Sequence, residues 1–311
     1  VRGTKSFIKN DGKITKNDPL RTQKLWYQRV KKEKWTMKSA SGNLKLEAYY
    51  IPAAHPANKT VILAHGFLQN KDGEGAPAAM FHDLGYNVLA PDDRAHGNSE
   101  GKLIGYGWLD RRDYIKWMNK LLREKGEHQK LVMYGVSMGG ATTMMISGEP
   151  DVPHQVKAYI EDCGYTSVED EITYQAKSMY HLPKWPLVPT VSLISKIRAG
   201  YSYGEASAMK QLAKNHQPMM FIHGGKDDFV PTKMIDQLYA ATKGPKEKYV
   251  VKDAGHAKAM QTDYQQYRDR VKKFLEKKRL ADFSTRDVEN YAPRQSVNKF
   301  VKRKKVLKES F

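Results

Sequence analysis

Gly135-Val136-Ser137-Met138-Gly139-Gly140 sets a serine between two glycines in the pattern G-x-S-x-G, and that pattern serves nucleophilic attack by a hydroxyl oxygen. Lys130–Tyr134 ahead of it is a short apolar run of strand type, and Ala141–Ile146 behind it reads as the first turns of a buried helix. A strand turning sharply into a helix holds the serine in a strained conformation with Oγ exposed at the tip. Side chains at the flanking glycines would collide with the neighbouring strand and helix. The helix start behind Ser137 offers unpaired N–H groups and a positive dipole end, which suit a developing oxyanion.

A hydroxyl is a weak nucleophile at neutral pH, so it needs a base, and the base needs an orienting carboxylate. Both are found downstream. The apolar run Pro218–Ile222 leads into His223-Gly224-Gly225-Lys226-Asp227-Asp228-Phe229-Val230-Pro231, and Lys248–Lys252 leads into Asp253-Ala254-Gly255-His256. Two strand–loop units of this kind bring an acid and a histidine to the carboxyl edge of the sheet that carries Ser137, where open α/β sheets bind ligands. His256 follows the final strand with a glycine before it, so a loop can swing its ring over the serine. Three carboxylates compete for the third role. Asp228 adjoins Asp227 but points the opposite way in an extended segment, and Asp162 ends the preceding strand.

Further motifs identify the chain as resembling the α/β-hydrolase superfamily over roughly residues 35–280. His65-Gly66-Phe67, after the strand-like Thr60–Ala64, is similar to the superfamily's oxyanion-loop H-G motif. Pro91-Asp92-Asp93-Arg94-Ala95-His96-Gly97-Asn98-Ser99 is similar to its P-D-x-R-G-H-G-x-S segment, with Ala95 where glycine is usual. His223 to Pro231 matches H-G-x-x-D-x-x-V-P, and Gly255-His256 matches the terminal G-H. More narrowly, the chain resembles membrane-anchored cell-surface serine hydrolases of Gram-positive bacteria, near the serine aminopeptidase and carboxylesterase branches. The resemblance implies a doubly wound, mostly parallel α/β sheet with a small helical cap. It implies Ser137 as nucleophile, His256 as base and Asp227 as acid, with the backbone N–H groups of Phe67 and Met138 as the oxyanion hole. His65, His96 and His223 are then loop organisers, and Asp92, Asp93, Arg94 and Ser99 stabilise their own loop.

The elements that must position these groups alternate between strand and helix types from about residue 35 to 280, which favours one unit over two. Ahead of them, residues 1–34 form a basic extension with a short helix opening at Asp18-Pro19. Strands are expected at Trp35–Ser39, Leu44–Ile51 and Asn87–Ala90, and helices at Ala76–Leu84, Trp108–Leu122 and, last, from Ala257 to Lys278. Residues 165–214 interrupt the alternation where the superfamily places its cap. A helix around Val168–Tyr180 is followed by a proline-rich turn at Pro183, Pro186 and Pro189, then by a helical piece over Ser192–Ile197. Tyr165, Trp185 and Tyr201 are the aromatic residues expected to face substrate. Residues 281–311 form a basic tail.

Composition narrows the partners. A net charge of +19 from 53 Lys and Arg against 34 Asp and Glu favours anionic surfaces such as a lipid membrane or a cell-wall polymer. No motif for nucleic acid accompanies it. One cysteine, Cys163, allows no internal disulfide and reads as a small buried residue. No apolar run spans a membrane, but the chain starts at Val1, and the resemblance implies an anchor upstream and an extracytoplasmic place, with a cytoplasmic one as the alternative. No metal or cofactor is implied, since H-E-x-x-H, a Cys/His cluster and a phosphate cradle are all missing. The main expectation is a serine hydrolase of carboxylic esters. The first alternative is a serine aminopeptidase or amidase with the same triad, whose amine site would draw on Glu169, Asp170 and Glu171. The second is a cell-envelope binding protein that keeps the fold without turnover.

Overall fold

The computed structural model describes residues 14–277. Its centre is an eight-stranded sheet: β1 (Glu33–Lys38), β2 (Lys45–Ile51), β3 (Lys59–Ala64), β4 (Asn87–Pro91), β5 (Lys130–Val136), β6 (Val156–Asp162), β7 (Met219–Gly224) and β8 (Lys246–Val251). The spatial order is β1-β2-β4-β3-β5-β6-β7-β8. β1 and β2 are antiparallel to each other, β2 is antiparallel to β4, and the pairs from β4 through β8 are all parallel. Parallel strands are covered on both faces, which is why Val61-Ile62-Leu63-Ala64 and Leu131-Val132-Met133-Tyr134 are unbroken apolar runs. Alternate residues feed opposite layers. Ile62, Ala64, Leu131 and Met133 pack on one side, and Val61, Leu63, Val132 and Tyr134 on the other.

The first layer is completed by α3 (Asp110–Lys125), α4 (Met138–Ile146), α7 (Ala208–Leu212) and α8 (Met234–Ala241), and the second by α1 (Arg21–Arg29), α2 (Gly75–Asp83), α9 (Ala259–Thr262) and α10 (Tyr264–Lys277). The expected last helix is two pieces. Asp263 leaves helical geometry and its Oδ1 accepts from Gln266 N at 2.9 Å, starting α10 afresh. Tyr267, Val271 and Phe274 then form a fully buried stripe. At the other end, Asp18 Oδ1 accepts from Leu20 N at 2.9 Å, a turn that precedes α1 rather than capping it.

Between β6 and β7 the chain leaves the body as α5 (Val168–Tyr180) and α6 (Leu187–Ala199). α6 begins five residues before the expected Ser192, because Pro186 and Pro189 fall at its cap and first turn, where a missing N–H costs nothing. The excursion closes at its base, where Ser167 bridges Ser207 and Val168 N donates to Ala206 O at 2.9 Å. Among the described residues, no helix is long and apolar enough to cross a membrane. The basic tail at 281–311 and the first residues of the N-terminal extension lie outside the described residues.

Candidate active site

Ser137 stands between β5 and α4 at φ 57°, ψ −117°, a backbone state that L-residues enter only under constraint. Constraint is visible on both sides. A Cβ on Gly135 would overlap the carbonyl of Gly139, and one on Gly139 would overlap the carbonyl of Ala64, so the strand-to-helix turn closes only with glycine at both places. Ser137 N donates to Asp162 O at 2.8 Å, and Ser137 O accepts from Ala141 N at 3.0 Å, which seats the serine at the mouth of α4.

The structure brings Ser137, His256 and Asp227 into one hydrogen-bonded line. Ser137 Oγ lies 2.8 Å from His256 Nε2, and His256 Nδ1 lies 2.8 Å from Asp227 Oδ2. Asp227 hangs from the loop after β7 and is buried, and its Oδ1 accepts from Phe229 N at 3.0 Å and Val230 N at 2.9 Å. Burial alone would raise this carboxyl. The hydrogen bonds from His223 and His256, with the charge of His256 and the N–H of Val230, outweigh burial and hold it at about 2. Asp227 is therefore ionised across the physiological range, and the Phe229 ring leans on the His256 ring at 4.8 Å.

The rival carboxylates stand elsewhere. Asp162 Oδ2 accepts from Tyr267 OH at 2.8 Å, while Asp228 is exposed and takes part through its backbone carbonyl, which accepts from Tyr174 OH at 2.9 Å. The other histidines are spent on loops. His65 Nε2 accepts from Asp93 N at 3.0 Å, so its Nδ1 donates to Gly66 O at 2.9 Å. His96 Nε2 accepts from Leu68 N at 3.3 Å, and burial, with His65 beside it, lowers its pKa to about 4. His223 Nε2 donates to Val230 O at 2.9 Å. The bonds of His65 and His96 fix the 65–69 loop against the segment that follows β4. Fully buried Lys71 adds a second tie, donating through Nζ to Asp92 Oδ2 at 2.5 Å and through its backbone N–H to Asp92 Oδ1 at 2.7 Å.

Gly66 rests beside the nucleophile, since a Cβ there would sit 3.6 Å from Ser137 Cβ. The backbone N–H groups of Phe67 and Met138 have no hydrogen-bond partner among the described residues. The Phe67 ring stacks on Tyr106 at 5.7 Å, and Tyr106 meets Tyr203 edge-on at 6.3 Å. Tyr106 was not legible as a site residue, because a lone tyrosine in a glycine-rich loop carries no motif.

The three aromatic residues expected to face substrate are not brought together as walls of one pocket. Tyr165 and Tyr201 are buried in the core and donate to the backbone carbonyls of Tyr106 and Gly105 at 2.9 and 3.0 Å, so they support that loop from beneath. Trp185 lies 74% exposed in the turn before α6, a correction to its expected place in a pocket wall. The acidic run at the start of α5 divides in three. Asp170 N donates to Ser167 Oγ at 3.0 Å in a helix cap, Glu169 pairs with Lys184 at 2.7 Å, and Glu171 turns inward. Glu171 Oε1 accepts from Gln175 Nε2 at 2.7 Å and Oε2 has no partner. Burial, reinforced by Asp227, pushes this carboxyl up to about 7 against the opposing influence of Gln175 and the two histidines.

One grouping has metal-ligand residue types: single ligand atoms of Cys163, Asp227 and His256 all lie within 4.8 Å of one another. Burial, then the charges of Asp162 and Asp227, holds the Cys163 thiol far above its ordinary pKa. Two of the three groups already bond to each other.

The chain matches the family described as serine aminopeptidase, S33, over residues 55–193. It is similar to the uncharacterized protein YqkD of Bacillus subtilis, 32% identical over 251 residues that cover 80% of this chain and 81% of that one. Among solved structures it is similar to the esterase Pf2001 of Pyrococcus furiosus, with TM-score 0.65 and 22% identity over 80% of this chain and 91% of that chain. It is also similar in fold to the acylaminoacyl peptidase of Pyrococcus horikoshii, with TM-score 0.60 and 18% identity over 84% of this chain and 44% of that one.

Proposed function

Because the chain belongs to the α/β-hydrolase superfamily, we propose that it is a serine hydrolase that cleaves carboxylic esters through an acyl-enzyme formed on Ser137. The observation that carries this reading is the unbroken line from Ser137 Oγ through the His256 ring to an ionised Asp227. Ser137 Oγ attacks the ester carbonyl carbon while His256 Nε2 takes its proton, and Asp227 holds the Nδ1–H tautomer and stabilises the imidazolium. The tetrahedral oxyanion accepts hydrogen bonds from Phe67 N–H and Met138 N–H, backbone donors with no other partner among the described residues. Collapse expels the alkoxide, which leaves as the alcohol with the proton from His256. Water, deprotonated by the same ring, then attacks the acyl carbon and releases the acid and Ser137.

A second reading, an aminopeptidase or amidase, is favoured by one feature: the carboxyl of Glu171, buried near His256 with a free oxygen. An ammonium beside it would lower its pKa and hold it as a carboxylate. Fluorophosphonate labelling of Ser137, followed by kcat/KM on p-nitrophenyl esters and aminoacyl-anilides, tests both. Esters turned over by orders of magnitude faster than anilides support the first reading. Comparable values on an anilide, lost in Glu171→Gln, move the assignment to the second. Absence of labelling removes both and leaves a binding protein on a hydrolase fold.

A further inference from the structure

α6 carries its apolar ridge on the side away from the protein. Its shielded positions are Leu187, Val188, Val191, Ser192, Ser195 and Ala199, half of them small or polar, while Leu193, Ile194 and Ile197 are 61%, 47% and 75% exposed. The four-residue step from 193 to 197 places these groups on one stripe. A water-facing helix normally shows the reverse pattern. The chain leading into α6 also exposes apolar groups, with Met179, Tyr180, Leu182 and Trp185 exposed in the same excursion. Scattered exposed leucines need no explanation, but an apolar stripe with neighbouring aromatic residues does.

Charge identifies what covers it. Between Glu171 and Glu205 the chain has no Asp or Glu, yet it has Lys177, Lys184, Lys196 and Arg198. Lys184 and Lys196 contact Glu169 and Glu205, which lie just outside this span, as exposed pairs at 2.7 and 2.9 Å. Such pairs contribute little and exchange readily for other anions. Lys177 and Arg198 have no acidic partner among the described residues, so a second copy of the same face would bring these two cations against each other. An anionic lipid surface meets all three features at once: phosphates for the Lys and Arg heads, the headgroup boundary for Trp and Tyr, and acyl chains for the aliphatic ridge.

We propose that the outer face of α6, with the turn before it, docks on anionic lipid bilayers. This surface is separate from the triad, and the proposal stands whether or not the ester reading holds. The test is co-sedimentation of the full chain with vesicles of equal parts phosphatidylglycerol and phosphatidylcholine, beside vesicles of phosphatidylcholine alone. Trp185 emission is read in parallel, with Trp185→Phe identifying its share. Binding to the anionic vesicles with a blue shift from Trp185 is expected. The triple change Leu193→Gln, Ile194→Gln, Ile197→Gln should weaken binding on the order of 100-fold, with circular dichroism and melting temperature unchanged. Lys177→Gln with Arg198→Gln should cost about thirtyfold on the anionic vesicles. Sedimentation of the triple variant equal to wild type, with no shift at Trp185, would place membrane binding elsewhere in the chain and overturn the proposal. So would a vesicle-free dimer that the triple change abolishes, since the face would then be a contact between copies.

Discussion

Asp227→Asn isolates the role of the carboxylate with the least change of shape. In wild type, Oδ2 accepts from His256 Nδ1 at 2.8 Å while Oδ1 is held by two backbone N–H groups at 3.0 and 2.9 Å. The loop therefore fixes an oxygen at Oδ1, and an asparagine that keeps those two bonds must present its NH2 to His256. The ring then turns its acceptor nitrogen toward residue 227 and its N–H toward Ser137 Oγ, the wrong tautomer for a base. The charge that stabilises the imidazolium is also lost. In the worked serine-protease case this change costs about 10⁴ in kcat, or about 5.4 kcal/mol of transition-state stabilisation. The same loss is expected here, because burial leaves little solvent to replace the charge. Asp162→Asn keeps an amide oxygen for Tyr267 OH and should lose less than about tenfold, and exposed Asp228→Asn should be near wild type. The assay is kcat on a short p-nitrophenyl ester, normalised to active sites by fluorophosphonate titration at long exposure. An Asp227→Asn enzyme within tenfold of wild type, or a crippled Asp162→Asn, would refute the reasoning.

Ser137→Ala should abolish fluorophosphonate labelling with an unchanged melting temperature, because Oγ makes one hydrogen bond and little packing; labelling equal to wild type would move the nucleophile elsewhere. Gly139→Ala should fail to fold or melt far lower, since its methyl overlaps the Ala64 carbonyl, and near-normal melting would mean the elbow is looser than described. Stability should fall as pH rises from 6.5 to 8. Burial holds Asp93, Asp110 and Glu161 up at about 8 when folded, whereas in the unfolded chain they are already ionised above about 5, so the folded state binds more protons and loses about 1–2 kcal/mol per group across that window. The buried His96, at about 4, opposes this only below pH 6.5, and Asp227 and Glu47, both at about 2, have given their contribution by then. Melting curves should drop by roughly 5–10 °C, with Asp93→Asn removing part of the slope, and a flat or rising profile would contradict the assignment.

The parts of this fold that sequence reveals are those written in local rules. Doubly buried strands must be apolar throughout, so β3, β5 and β7 announce themselves, and the ends of those strands locate the 65–69 loop, Ser137 and Asp227. α5 is legible to the residue because Ser167 caps it and its apolar face is periodic. What escapes is decided by tertiary contact. Nothing local says that Glu171 turns in while Glu169 and Asp170 stay out; helical phase puts Glu171 three residues from buried Val168, and Gln175, which donates to Glu171, also donates to Phe229 O in the 227–230 loop. Tyr165 and Tyr201 look like pocket aromatics by type, but their hydroxyls find backbone carbonyls in the 105–106 loop, a partner remote in sequence. The prolines around Trp185 mark a turn equally well as the start of a helix, and the structure uses them for both.

Strain around the triad shows how such a site stays assembled. Ser137, Cys163 and Ala257 all have φ between 50° and 57°, and none is glycine. Each such residue costs about 1–3 kcal/mol, so three of them would open the site unless the surroundings enforced it. They are enforced by the sheet. Cys163 N donates to Ile222 O at 2.9 Å and Ser137 N to Asp162 O at 2.8 Å, so the ends of β5, β6 and β7 are stitched crosswise just beyond their last paired residues. Ala257 follows His256 and turns the chain back toward α9. The His256 ring, 21% exposed at its side chain, is held by Ser137, Asp227 and the face of Phe229. The nucleophile thus stands at a stitched strand end, the acid on the loop after β7 where two backbone N–H groups hold it, and the base on the loop after β8. In the proposed mechanism, that division suits a residue that takes a proton from Ser137 and returns it to a leaving group a few ångströms away.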